Sequence, residues 1–225
     1  MSAHFRMLQL QYGDQLLTVL TVVLVFLMFV ASPLLAAGFV AFQPFGVFAT
    51  LVMIGCALLM SGNATAAIIM LIALCMNVAV IVLRLQGTPS QYDLYLVASA
   101  WLILSVTLGW VVATAVFGAG RINYHRIMGA VLLYLLIALT FVALYVLIGL
   151  VFPKAFSGIV FEDNSAFTNS IIYFSFVTLT TVGYGDIVPL HPVARSLCNL
   201  ESICGQLYPA TLLARLVTLE LANTS

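Results

Sequence analysis

Charge is what this sequence has least of. Its 225 residues carry seven Lys or Arg and seven Asp or Glu, 6% in all, for a net charge of zero. Soluble domains carry roughly a quarter charged residues, so a water-soluble globular protein is excluded. Disorder needs low hydrophobicity, and 64% of this chain is hydrophobic. A neutral chain has no basic face for phosphates, which excludes nucleic acid as a partner. Cysteine is also sparse. Cys56, Cys75, Cys198 and Cys204 lie in apolar stretches without metal-ligand spacing and read as packing residues. His4, His125 and His191 are far apart in sequence. Paired carboxylates, a glycine-rich phosphate loop and a nucleophile elbow are all missing, so neither an enzyme nor a bound cofactor is expected. The class that remains is an integral membrane protein.

The few charges leave long bare runs. No Asp, Glu, Lys or Arg falls among the 69 residues between Asp14 and Arg84, between Asp93 and Arg121, or among the 27 residues Ile127 to Pro153. A spanning helix needs about 20 apolar residues, so these runs hold several spans. Backbone polar groups must pair internally in lipid, and uninterrupted apolarity without in–out alternation selects helices over a barrel. The expected helices are Gln15 to Leu35, Phe45 to Met60, Ala64 to Leu83, Leu94 to Phe117 and Ile127 to Phe152. Gln43-Pro44, Ser61-Gly62-Asn63, the polar stretch Arg84 to Asp93, Gly118-Ala119-Gly120 and Pro153 punctuate them. The first run is longer than an ordinary leader's apolar core, so it is expected to be a span.

Beyond Lys154 the pattern changes. Glu162 and Asp163 precede Asn164 and Ser165, either of which can cap a helix whose positive end the two acids favour. The segment that follows, Ala166 to Thr178, is too short to span and suits a re-entrant helix. Pro189 and Pro192 introduce a last helix, Pro192 to Leu219. The expected fold is therefore all-α: six transmembrane helices, with a half-helix between the fifth and the sixth.

Directly after the half-helix stands Thr178-Leu179-Thr180-Thr181-Val182-Gly183-Tyr184-Gly185-Asp186. Glycine permits backbone conformations closed to other residues. Alternation of Gly183 and Gly185 with Val182 and Tyr184 lets successive carbonyls point one way. Irregular backbone at membrane depth is tolerated only where protein buries it or where it lines a water-filled path. Here the chain resembles the potassium-channel pore family, whose selectivity filter carries Thr-Val-Gly-Tyr-Gly. The whole is similar to small prokaryotic six-helix members without voltage-sensor arginines. The resemblance covers about residues 127 to 219. It implies that K⁺ is the transported ion, held by carbonyls of Thr181, Val182, Gly183 and Tyr184 and the Thr181 hydroxyl, with Gly185 closing the filter. It implies selectivity for K⁺ over Na⁺, since the aromatic at Tyr184 is often lost in non-selective relatives. One chain supplies one filter, so a homotetramer is expected.

Other positions in the pore region follow from the same resemblance. Tyr173 stands where many relatives carry a tryptophan that bonds the aspartate matching Asp186, and a Tyr173–Asp186 bond is expected behind the filter. Val177 replaces a glutamate found in some relatives. Gly205 matches the inner-helix gating glycine, and Pro209 removes the amide that would bond the Gly205 carbonyl. Two readings stand for this pair, a gating hinge or a fixed kink. Glu201 lies four residues before Gly205, deep in the last helix, where a carboxylate is costly and marks a function. Either it faces the half-helix, bonding Ser175 or Thr178 to support the filter, or it faces the cavity.

The expected division is a four-helix domain over residues 1–120 and a pore domain over residues 121–225. With the filter facing outside, both termini fall in the cytoplasm of a multi-pass cell-membrane protein, with Arg6, Arg121 and Arg126 inside; the positive-inside count supports this weakly. The fourth span has no arginine, and each gating charge would yield about 2.3 kcal/mol per 100 mV, so steep voltage gating is not expected. The first four helices read equally as a charge-free relative of a voltage sensor or as an unrelated unit. A non-conducting, regulatory subunit is the alternative function.

Overall fold

A computed structural model describes residues 3–39, 51, 64–85, 91–117, 124–162 and 164–224. In chain order the described elements are α1 (Ala3–Phe26), a π-helical turn (Leu27–Ala31), α2 (Ser32–Ala36), α3 (Ala64–Leu85), α4 (Gln91–Phe117), α5 (Tyr124–Val151), β1 (Phe156–Ser157), α6 (Ser165–Leu179), β2 (Val188–Pro189) and α7 (Pro192–Thr224). The expected helix Phe45 to Met60 lies outside the described residues, as does Asp163.

Four helical stretches are long and apolar enough to cross a membrane: Gln15–Ala36, Thr65–Leu83, Tyr92–Phe117 and Tyr124–Val151. Val22 and Phe26 on α1, Ile68 and Leu71 on α3, and Val106 and Trp110 on α4 are exposed, the pattern expected where lipid is the solvent. Helix α6 has 15 residues, about 22 Å at 1.5 Å each, and falls short of a bilayer's apolar core. Helix α7 has 33 residues and is long enough, but Asn199, Glu201, Ser202 and Gln206 make it more polar than the other four.

The first helix starts earlier than expected, at Ala3, and ends within one residue of its expected end at Leu35: it passes Pro33 through a π turn and continues to Ala36. Proline has no amide for the carbonyl of Phe29 four residues earlier, and its ring crowds that turn; the widened turn accommodates both. Helix α7 likewise runs on past Pro209.

Helix α5 is the centre of the assembly, packing against α1, α4, α6 and α7. It buries Leu132, Leu135, Leu136, Leu139, Val142 and Tyr145. Burying such side chains stabilises by roughly 1.5–3 kcal/mol each in water, but between lipid-solvated helices close packing and hydrogen bonds replace that force. Thr21 on α1 donates to the Met128 carbonyl at 2.9 Å, Thr140 bonds Ser105 of α4 at 3.0 Å, and Tyr95 of α4 donates to the Leu150 carbonyl at 2.9 Å. Helix α3 packs on α4, and α2 leans onto α6. Phe29 meets Phe176 at 4.9 Å between ring centroids, and Ser32 donates to Asn169 at 3.3 Å. The start of the chain is thereby attached to the short helix ahead of the glycine-rich loop.

Candidate functional site

The loop at residues 180–187 is positioned by the two ends of α6. At the N-terminus Asn164 has extended backbone and its Oδ1 accepts from the Phe167 amide at 2.7 Å. This cap satisfies one of the amides a helix leaves open and is worth about 1 kcal/mol. At the C-terminus the chain turns back on the helix. The Thr180 amide donates to Phe176 O at 2.9 Å, Thr181 to Thr178 O at 3.0 Å, and Val182 to Val177 O at 2.9 Å; Gly183 reaches the same Val177 oxygen at 3.3 Å. The amides at the start of the loop are thus spent on the last carbonyls of α6. Among the described residues, no backbone amide outside helices and strands donates to a carbonyl of Thr181, Val182, Gly183, Tyr184 or Gly185.

The loop backbone alternates in hand. Thr181, Gly183 and Gly185 have φ of +60°, +56° and +81°, and Val182 and Tyr184 between them are not left-handed. In a β-strand successive carbonyls point to opposite sides. Alternation of left- and right-handed residues turns them to the same side instead. Glycine adopts the left-handed region without cost. Threonine is β-branched and does not, and such strain costs on the order of 1–3 kcal/mol, which persists only where the surroundings impose it. The result is a row of unpaired carbonyl dipoles on one side of the loop, beside the negative end of α6. Such a surface attracts and partly desolvates a cation.

Side chains and a small sheet hold the other side of this loop. The Tyr173 ring on α6 lies parallel to that of Tyr184, with centroids 6.3 Å apart and planes within 5°. The Tyr173 hydroxyl also interacts with the Asp186 carboxylate. Strands β1 and β2 pair antiparallel, Phe156 with Pro189 and Ser157 with Val188. Leu190 and His191 both donate to the Ala155 carbonyl, at 2.8 and 3.2 Å, and the His191 ring stacks on Phe152 at 4.2 Å. A Cβ at Gly158 would lie 1.9 Å from the Asp186 carbonyl oxygen. The segment after α5 is therefore pressed against the exit of the loop.

Helix α7 supports the loop's base. The Glu201 carboxyl is fully buried and faces α6, with Ser175 Oγ at 2.5 Å from Oε1. The Tyr145 hydroxyl of α5 bonds its other oxygen. Ser202 donates to the Thr178 carbonyl at 3.2 Å. Gly205 is buried, and a Cβ there would lie 1.7 Å from the Leu179 carbonyl oxygen. Glu201, Ser202 and Gly205 thus form one face of α7 laid against the last turn of α6, where helix carbonyls lack intrahelical partners. Pro209 is exposed and lies beyond this contact, next to Tyr208, whose hydroxyl donates to the Ala130 carbonyl at 2.7 Å.

The fold therefore brings Tyr173, Asp186, Glu201 and Gly205 around one loop spanning Thr181–Gly185. Pro209 stands apart from them. Tyr145, Ser202 and Gly158 are the contacting residues that sequence reasoning passed over. Gly158 is the one a sequence signal could have marked, as a glycine in the short connection between two helices. Glu162 sits on the outer segment and accepts from Asn164 Nδ2 at 3.0 Å.

Comparison with known proteins gives two findings. Residues 130–220 match the profile of the family described as ion channel. A curated relative, the inward rectifier potassium channel Kirbac3.1 of Paramagnetospirillum magnetotacticum, is 36% identical over 75 residues, which is 33% of this chain and 23% of that protein. This chain therefore covers under a quarter of that relative's length. No solved structure gives a significant match. The family match lies on the half of the chain that builds the loop and its supports.

Proposed function

We propose that the chain, whose residues 130–220 match the ion-channel profile, belongs to the potassium-channel pore family and forms a K⁺-selective channel that works as a homotetramer. One observation carries the reading. The alternating left-handed residues at 181, 183 and 185 set the carbonyls between Thr181 and Tyr184 on one side, without a backbone amide donating to them among the described loop bonds, while the amides of Thr181, Val182 and Gly183 turn onto α6. Four such rows around an axis make a cage of oxygens that replaces the hydration shell of K⁺. One chain supplies one row, and closed four-fold symmetry is the way to complete it. Transport in this reading is passive.

In this reading Thr181, Val182, Gly183, Tyr184 and Gly185 form the filter. Tyr173, Asp186 and Glu201 hold it from behind. Gly205 and Pro209 are the proposed gating hinge of the inner helix. The proposed topology has six spans, with α6 re-entrant and α7 as the inner helix whose polar side faces the water-filled path. The domains divide at about residue 120. The termini are placed on the cytoplasmic side of the cell membrane. The arginine-free fourth span gives no steep voltage dependence.

The test is the reversal potential of the purified protein in planar bilayers under opposed K⁺ and Na⁺ gradients. A potential close to that of K⁺ is expected. A potential midway between the two ions, or a mass other than four chains for the conducting species, refutes the reading.

A further inference from the structure

The buried carboxyl behind α6 has a feature that filter support alone does not require. Glu201, Tyr145 and Ser175 are each fully buried, and they come from three different helices, α7, α5 and α6. Tyr145 Oη donates to Glu201 Oε2. Ser175 Oγ lies 2.5 Å from Glu201 Oε1 and 3.0 Å from the Ala138 carbonyl of α5. A serine hydroxyl has one hydrogen, and here two acceptors compete for it. A carboxylate would take that hydrogen and leave Ser175 facing Ala138 O oxygen to oxygen. A carboxylic acid removes the conflict. Oε1–H donates to Ser175 Oγ, Ser175 Oγ–H donates to Ala138 O, and Tyr145 Oη–H donates to Oε2. Every contact is then a hydrogen bond.

The surroundings favour the same assignment. The ionisable groups facing Glu201 are Tyr145 and Tyr134 on α5 and Cys198 on its own helix. From α6 comes only the Ser175 hydroxyl, among the described contacts. None of these is a cation, and a buried carboxylate without one is costly.

We propose that Glu201 acts as a neutral, proton-carrying tether that locks α6, and with it the filter, between α5 and α7, and that loss of this proton releases the lock. The proposal rests on the channel reading above for its functional consequence, and on the hydrogen count for its chemistry. Ionisation sends the proton to solvent and leaves a bare charge in the protein interior. Ser175 must then turn from Ala138 to the carboxylate, and the α5–α6 bond is lost. Glu201, Tyr145 and Ser175 are positioning residues and touch no ion.

Two measurements test this. The first is infrared difference spectroscopy of the purified full-length protein at neutral pH, wild type against Glu201→Gln. A protonated-carboxyl stretch present in wild type and missing in the variant is expected. A carboxylate band in its place overturns the proposal, whether or not the protein conducts. The second is current stability in planar bilayers as the bath is made alkaline. Wild type is expected to lose sustained current, while Glu201→Gln keeps it. The amide offers Tyr145 an acceptor and Ser175 a donor and cannot ionise. Tyr145→Phe and Ser175→Ala should each show the unstable current at neutral pH; they also stand in if Glu201→Gln fails to fold. Equal alkaline loss in wild type and Glu201→Gln overturns the proposal. So does a defect in Glu201→Gln as large as in Tyr145→Phe. Absence of any current from wild type would count against the channel reading instead, leaving the infrared result to decide the tether.

Discussion

Replacing Gly205 by alanine separates the two readings of the inner-helix glycine. The added Cβ would sit 1.7 Å from the Leu179 carbonyl oxygen, 2.7 Å from its carbon and 3.2 Å from its Cα. These are backbone atoms at the end of a helix, so no rotamer change relieves the overlap. Helices α6 and α7 must part by more than about 1 Å to reach ordinary contact distances. Overpacking of this kind costs roughly 1–3 kcal/mol. If that cost falls on the conducting arrangement, it changes its population by about 5- to 150-fold. Leu179 is two residues from Thr181, so the displacement reaches the first carbonyl of the loop. The expected result for Gly205→Ala is a lower open probability together with altered K⁺ over Na⁺ preference. Pro209→Ala is the control, because Pro209 is exposed and outside the α6 contact. A pure hinge predicts that both variants stiffen the same turn and shift opening alike, with selectivity intact. The contact reading predicts that only Gly205→Ala disturbs selectivity. Single-channel recording of both variants decides this. Wild-type selectivity and opening in Gly205→Ala would refute the steric argument.

Further outcomes follow from the same geometry. Tyr173→Phe keeps the ring that lies against Tyr184 and removes the hydroxyl that meets Asp186; it should hasten inactivation, and unchanged inactivation and ion occupancy would remove that bond from the account. Gly158→Ala combines a left-handed φ of +85° with a Cβ 1.9 Å from Asp186 O, so it should disrupt the outer mouth and lower single-channel conductance; a wild-type conductance contradicts the close approach. Conductance should vary little with voltage, because residues 94–117 hold no Lys or Arg and each missing charge removes about 2.3 kcal/mol per 100 mV; a sigmoidal curve worth several charges per subunit overturns this.

The loop was legible because its signals are local. Two glycines alternate with bulkier residues, an Asn stands at the helix start, and the short helix ends just before them. Helix α6, expected from Ala166 to Thr178, runs from Ser165 to Leu179. The expected first helix was placed from Gln15 to Leu35, whereas the chain is helical from Ala3 to Ala36 with a π turn inside. Proline usually reads as a stop, and nothing in the sequence marks a turn that widens to accept it. Tyr145 was not legible at all. It lies 56 residues from Glu201 and looks like any aromatic in an apolar helix. Only packing of α5, α6 and α7 brings the two together. The docking of α2 on α6 is non-local in the same way, joining Ser32 to Asn169 across 137 residues. The resemblance left Gly205 open as a hinge or a fixed kink; its surroundings add a close approach to Leu179 that leaves no room for a side chain, which no local signal marks.

The central claim is that the carbonyl row of residues 181–185 passes K⁺ and excludes Na⁺. Uptake of K⁺ and of Na⁺ into liposomes containing the purified protein tests it most directly. The account predicts K⁺ uptake that barium blocks, with Na⁺ uptake close to that of empty liposomes. Equal uptake of both ions, or no uptake of either across pH and lipid composition, would contradict it.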